Sequence, residues 1–190
     1  MNWILPGTVL STRQEEADAT DELFRSMFLP GGMVLGQVSN ISGLEAYMIQ
    51  NWVKRGFLAP PKGKRYTLRQ LCRILNINML RGALPMEKIC GLLTYINGQL
   101  NDESDDLIDD SQLYFMFVRL AARAGDLADP GETRQALEAV LRDYVEPIPG
   151  AKQRIEKVLR VMLTAWISTR TRQEAERMLA EMESEGAGQP

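Results

Sequence analysis

Four polar residues, Tyr47, Gln50, Asn51 and Lys54, fall at i, i+3, i+4 and i+7. That spacing puts a phenol, two amides and an ammonium on one face of a helix. Amide side chains pair bidentately with the edge of adenine in a major groove, and lysine and tyrosine reach phosphate. A solvated face of an amphipathic helix gives the same pattern. A few residues on, Lys62, Lys64 and Arg65 crowd around Gly63. Like charges this close repel unless they are solvated or meet anions, and a tight basic loop beside a recognition helix suits a wing over the phosphate backbone. A merely solvated turn is the plain alternative.

Other chemistry is poorly provided for. The chain has no histidine, which removes the Ser-His and Cys-His dyads and His-ligated metal sites. Its two cysteines, Cys72 and Cys90, form neither a CxxC site nor a disulfide framework. Both sit at inward-looking helix positions and read as small buried hydrophobes, in a protein expected in a reducing cytoplasm. The run Asp105-Asp106-Leu107-Ile108-Asp109-Asp110 raises the question of Mg²⁺ or Ca²⁺. A diphosphate-binding DDxxD enzyme needs a longer chain, a second acidic motif and nearby arginines, none of them visible in the sequence, and an EF-hand needs glycine at its sixth position. The run is read as a solvated linker that caps a helix starting near Ser111, so that changing its four aspartates to asparagine should cost no more than about 1 kcal/mol. The expectation is a non-enzyme with no cofactor and no metal.

Charge is unevenly spread along the 190 residues. Between positions 41 and 100 nine basic residues face two acidic ones, a net +7, whereas the rest carries 13 basic against 23 acidic, a net −10. A basic module in an acidic protein points to an anionic partner, with nucleic acid first. No apolar run is long enough for a membrane span and the start lacks an export signal, so no membrane partner is expected.

The elements that must position these residues read as helices. Ser11 with Gln14 opens one that runs to about residue 29, ended by Pro30-Gly31-Gly32. Met33 to Ser39 suits either a helical turn or a short strand. Ser42 with Glu45 opens the helix bearing Tyr47 to Lys54, and Gly56 closes it. Its opposite side carries Leu44, Met48, Ile49, Trp52 and Val53, which dock on a core. After the basic loop, Thr67 with Gln70 caps a helix to Leu80, and Pro85 starts another through Ile96, ended by Asn97-Gly98. Beyond the acidic run the pattern stays helical: Leu113 to Leu127, a segment capped by Asp129-Pro130 to about Val145, and Ala151 to about Glu185 as one long helix or two shorter ones.

The stretch Val38 to Leu93 resembles the MerR-type winged-helix domain. The resemblance rests on Gly43-Leu44, on Ile49 through Leu58, on Lys64-Arg65-Tyr66-Thr67 and on Leu80-Arg81-Gly82-Ala83-Leu84-Pro85-Met86-Glu87-Lys88-Ile89. Met48 to Lys54, Pro60 to Thr67 and Tyr95-Ile96-Asn97-Gly98 are closer still to an uncharacterised bacterial family of MerR-like proteins known only as a domain of unknown function. The resemblance implies DNA-facing positions at Tyr47, Gln50 and Asn51 and wing contacts at Lys64, Arg65 and Tyr66. MerR regulators place arginines where this chain has Tyr47 and Gln50, and their wing is longer.

The resulting expectation is an all-α protein. Residues 1–32 form a helical arm, 33–98 a MerR-like winged helix-turn-helix, 99–110 an acidic linker, 111–185 a helical, dimerising domain and 186–190 a tail. It would be a cytoplasmic transcriptional regulator that binds duplex DNA in sequence-specific fashion through Tyr47, Gln50, Asn51, Lys54, Lys62, Lys64, Arg65 and Tyr66. The alternative is a protein-interaction module on a winged-helix scaffold without DNA readout. Homodimerisation is expected through the stripe Ile155, Leu159, Met162 and Trp166. No small-molecule effector is implied.

Overall fold

The computed structural model describes residues 2–100, 104–124 and 130–187. The expected cap at Asp129, part of the acidic run's flank (Asp102 and Glu103) and the last three residues of the tail lie outside the described residues. Helices dominate, with eight α-helices and two small antiparallel sheets among the described residues.

The centre is a pair of helices, α4 (Leu68–Leu80) and α6 (Asp110–Arg123), nine and ten of whose residues are buried. Both carry apolar residues on more than one face, which a helix at the middle of a core requires. Around them pack α1 (Thr20–Met27), α5 (Met86–Asn97), α7 (Pro130–Val140) and the first half of α8 (Ala151–Ala187). Phe24 of α1 is fully buried, with its ring centroid 5.7 Å from Tyr114 and 5.8 Å from Phe115, and Trp166 of α8 meets Phe117 edge-on at 6.0 Å. One hydrophobic core runs from Leu5 to Trp166 without a break at the acidic run.

The N-terminal arm departs from the expected helix. Ser11 opens no helix: β1 (Asn2–Ile4) and β2 (Ser11–Arg13) form a hairpin, followed by a 3-10 turn over Gln14–Ala19 and then α1. Pro6-Gly7 turns the hairpin, and Thr8 Oγ1 both donates to Leu5 O (3.0 Å) and accepts from Leu10 N (3.0 Å). This local satisfaction competes with helix formation. The segment from Met33 resolves into both alternatives, a two-residue strand β3 (Met33–Val34) and the helix α2 (Leu35–Ser42). Ser42 therefore ends a helix instead of starting one. Its Oγ donates to Val38 O, and α3 (Ala46–Lys54) begins after a three-residue turn with Glu45 at its N-cap.

Elsewhere the caps stand where expected. Thr67 Oγ1 accepts from Gln70 N while Gln70 Oε1 accepts from Thr67 N, the reciprocal box at the start of α4. Pro85 is the N-cap of α5, and Gly98 follows its last residue at φ 52°. The C-terminal segment is one continuous helix, α8. Its stripe Ile155, Leu159, Met162 and Trp166 is buried against the chain's own helices, so the expected dimer seam is consumed by the intramolecular core. Over residues 170–184 the side chains of α8 are all exposed. Among the described residues no helix is long and apolar enough to cross a membrane.

Candidate nucleic-acid interface

Helix α3 is fixed in place by its apolar side. Ile49 is fully buried and Trp52 is 4% exposed, as the spacing demands, while Tyr47, Gln50, Asn51 and Lys54 all face solvent. The preceding turn is tight: Gly43 takes φ 68°, a left-handed conformation that costs glycine little, and Leu44 plugs into the core. Consecutive helices α2 and α3 thus leave the polar face of the second one free.

The basic loop is more organised than a solvated turn. Arg65 N donates to Lys62 O (3.0 Å), and the two residues between, Gly63 and Lys64, have φ of 56° and 61°. Two consecutive positive φ values are the signature of the mirror-image turns that close hairpins. Beyond it, β4 (Arg65–Tyr66) pairs antiparallel with β3, register Met33 with Tyr66 and Val34 with Arg65. The strand that leads into α2 and the strand that leaves the basic turn are therefore laced together. Gln70 Nε2 donates to Ala59 O and Pro60 O, holding the approach to the turn against α4. Lys64 is the single non-glycine residue at positive φ among the described residues, a strained position of about 1 kcal/mol or more that aims its side chain outward.

Seven cations of this module divide into two sets, and Arg81 and Lys88, elsewhere in it, also have no carboxylate within ion-pair distance among the described residues. Arg69 reaches Asp106 at 2.5 Å and Asp109 at 3.6 Å, and Arg73 reaches Asp110 at 3.3 Å with side chains only 8% and 2% exposed. Arg55 pairs with Glu87 at 3.4 Å and lies over the Phe57 ring. Lys54, Lys62 and Lys64 have no carboxylate within ion-pair distance among the described residues. Arg65 is exposed, with Nη1 donating to Gly32 O at 2.9 Å.

Two expectations change here. The acidic run is no solvated linker: Asp106 and Asp110 are buried against Arg69 and Arg73, and Asp109 is the N-cap that accepts from Ser111 N and Gln112 N. Burial pushes Asp110 above the usual carboxylate range despite Arg73 and Arg69, and pushes Asp106 up to about 6 against the pull of Arg69. Tyr66 is 3% exposed in the core, and burial raises its phenol. Its alternate position along β4 faces inward when Arg65 faces out, so it supports the strand pair and is unavailable to a partner. The structure thus brings Tyr47, Gln50, Asn51 and Lys54 together on α3 and places Lys62, Lys64 and Arg65 on the turn. Cys72 is fully buried, which raises its thiol, whereas Cys90 is half-buried.

Residues 32–117 match the family model of a domain of unknown function, DUF1836. An uncharacterized protein of Bacillus subtilis (strain 168), YkrK, is 31% identical over 84 residues, a match covering 42% of this chain and 36% of that relative. The chain thus matches about a third of that relative's length. No solved structure matches the chain. The matched stretch runs from β3 to the middle of α6 and contains α3, the basic turn and the docked acidic run, whereas the hairpin, α7 and α8 lie outside it.

Proposed function

We propose that α2, α3 and the turn at Lys62–Arg65 form a MerR-like winged helix-turn-helix that reads duplex DNA, and that the protein is a transcriptional regulator without catalytic chemistry. The observation that carries this reading is the set of cations left without carboxylate partners. Arg55, Arg69 and Arg73 are paired, whereas Lys54, on the α3 face that carries Gln50 and Asn51, and Lys62 and Lys64, on the turn, are exposed without a carboxylate partner among the described residues. In this reading Lys62, Lys64 and Arg65 anchor phosphate, and Asn51 and Gln50 meet base edges with Tyr47 and Lys54 flanking them.

Pairing of two copies adds half-site spacing to such a reader. With the buried stripe consumed, the face open to a second copy is the distal part of α8, where Met178, Leu179 and Met182 are 54%, 55% and 67% exposed. Ala175, Met178, Leu179 and Met182 fall at i, i+3, i+4 and i+7 on one side of that helix. Light scattering at tens of micromolar is expected to give a dimer, and a monomer there removes this part of the proposal.

The test of DNA binding is a titration with random duplex at two salt concentrations. A steep loss of affinity with added salt is expected from counterion release. Absence of binding even at low salt overturns the reading in favour of a protein-interaction module on the same scaffold.

A further inference from the structure

A groove of about 780 Å³ opens between the N-terminal hairpin, the end of α4 and the middle of α8. Its volume lies within the range of about 300 to 1,000 Å³ typical of small-molecule sites. Three guanidinium groups line it, Arg81, Arg170 and Arg172, and no carboxylate does. Arg172 is paired with Glu176, whereas Arg81 and Arg170 face no acid in this concavity, so an anion that enters it is attracted by both.

The walls are built rather than incidental. Gly7, at φ 72°, lets the hairpin turn lie on α4 so closely that a Cβ there would sit 2.4 Å from Leu75 O. The fully buried Tyr114 hydroxyl donates to Pro6 O at 2.9 Å, and Asn78 Nδ2 donates to both Gly7 O (2.9 Å) and Ser42 O (2.8 Å). The same Asn78 accepts from Arg81 Nε at 2.8 Å, which sets that guanidinium in the groove. Arg170 stacks on the Trp166 indole, its Cζ 4.6 Å from the ring centroid. A guanidinium held over an aromatic face keeps N–H donors available for a bidentate acceptor. Neither Arg81 nor Arg170 has a carboxylate within ion-pair distance among the described residues, while Arg172 is paired along its helix with Glu176 at 2.8 Å. The half-buried Trp3 on the hairpin adds an aromatic surface to the same groove.

We infer that this groove binds a small organic anion with a planar ring, its carboxylate or phosphate held by Arg81 and Arg170 and its ring laid on Trp3. The inference does not depend on DNA binding. Trp3, Arg170 and Arg172 lie outside the family-matched stretch, whereas Arg81 and Asn78 lie inside it.

The experiment is a tryptophan-fluorescence titration of the full chain with AMP and with 4-hydroxybenzoate, using adenosine, phenol and inorganic phosphate as controls. Saturable binding of AMP or of 4-hydroxybenzoate below about 1 mM is expected, and which of them binds identifies phosphate or carboxylate as the anion. Arg81→Ala and Arg170→Ala should each weaken it about tenfold or more with the helical circular dichroism unchanged, since each removes a hydrogen bond to a charged group. The uncharged controls and free phosphate should bind at least about tenfold more weakly. Failure of both anions to saturate overturns the inference, as does binding that survives both arginine substitutions. Loss of a dimer in light scattering on those substitutions, without any ligand effect, also overturns it and assigns the groove to a second copy.

Discussion

The buried pair Arg73 and Asp110 gives the sharpest test of how the acidic run is used. Arg73 Nη1 lies 3.4 and 3.3 Å from the two Asp110 oxygens, its Nε donates to Phe57 O at 3.1 Å, and Asn76 Nδ2 donates to Asp110 O at 3.2 Å. At an effective dielectric of about 20, unit charges this far apart attract by roughly 5 kcal/mol. Taking both from water offsets much of that, so the net value of the pair is small while the cost of orphaning one member is about 3 to 5 kcal/mol. The two single substitutions should then differ in their response to pH. Asp110→Asn strands a guanidinium that cannot give up its proton, so its cost in urea denaturation should persist at pH 7 and pH 4.5 alike. Arg73→Met leaves a buried carboxyl with Arg69, at 3.8 Å, as its remaining cation, and that carboxyl can take a proton up. Without Arg73 its folded value rises further above the unfolded one, so the penalty is full above the folded value and is lost as pH falls toward the unfolded value of about 3.9. Arg73→Met should therefore be costly at pH 7 and much less so at pH 4.5, and the double variant should recover most of the loss. Costs under about 1 kcal/mol for both singles at pH 7 would refute the docked arrangement and restore a solvated linker.

Trp52→Ala should lower folding stability by about 3 to 5 kcal/mol in the same assay, because the indole is core and not interface; a stable variant with selectively lost DNA binding inverts the assignment of α3's faces. Asp106, held at about 6, is favoured in its protonated form by the folded state. Its contribution thus grows as pH falls through about 6 and is complete below its unfolded value of about 3.9. In paired melts of wild type and Asp106→Asn, the difference should move in the wild type's favour from pH 7 to pH 4, and movement the other way contradicts the burial of that carboxyl.

Helix identity was legible where one periodic stripe meets a good cap: Thr67 with Gln70, and the apolar side of α3 with Trp52. The N-terminal hairpin was not, because Ser11 and Gln14 mimic a capping box while the deciding interactions are the Thr8 hydroxyl's bonds and the docking of Pro6 and Gly7 on distant helices. Ser42 failed similarly, its hydroxyl turning back to Val38 O at the end of a helix too short to show a period. The docking of the acidic run had a faint signal, since Arg69 and Arg73 share the four-residue spacing of Asp106 and Asp110. Nothing local says that two such ladders 37 positions apart will meet. Of the eight candidate contact residues, seven are exposed and Tyr66 is core, a distinction that rests on the strand register with β3.

Lys64 separates fold from function most cleanly, because its backbone suits glycine and its side chain suits phosphate. In Lys64→Gly the left-handed strain is relieved, so urea denaturation should show stability unchanged or raised by about 1 kcal/mol. The slope of log K against log salt for random duplex should fall by about 1, the share of one neutralised phosphate. A variant equally stable and with an unchanged slope would contradict the placement of this turn on the DNA backbone.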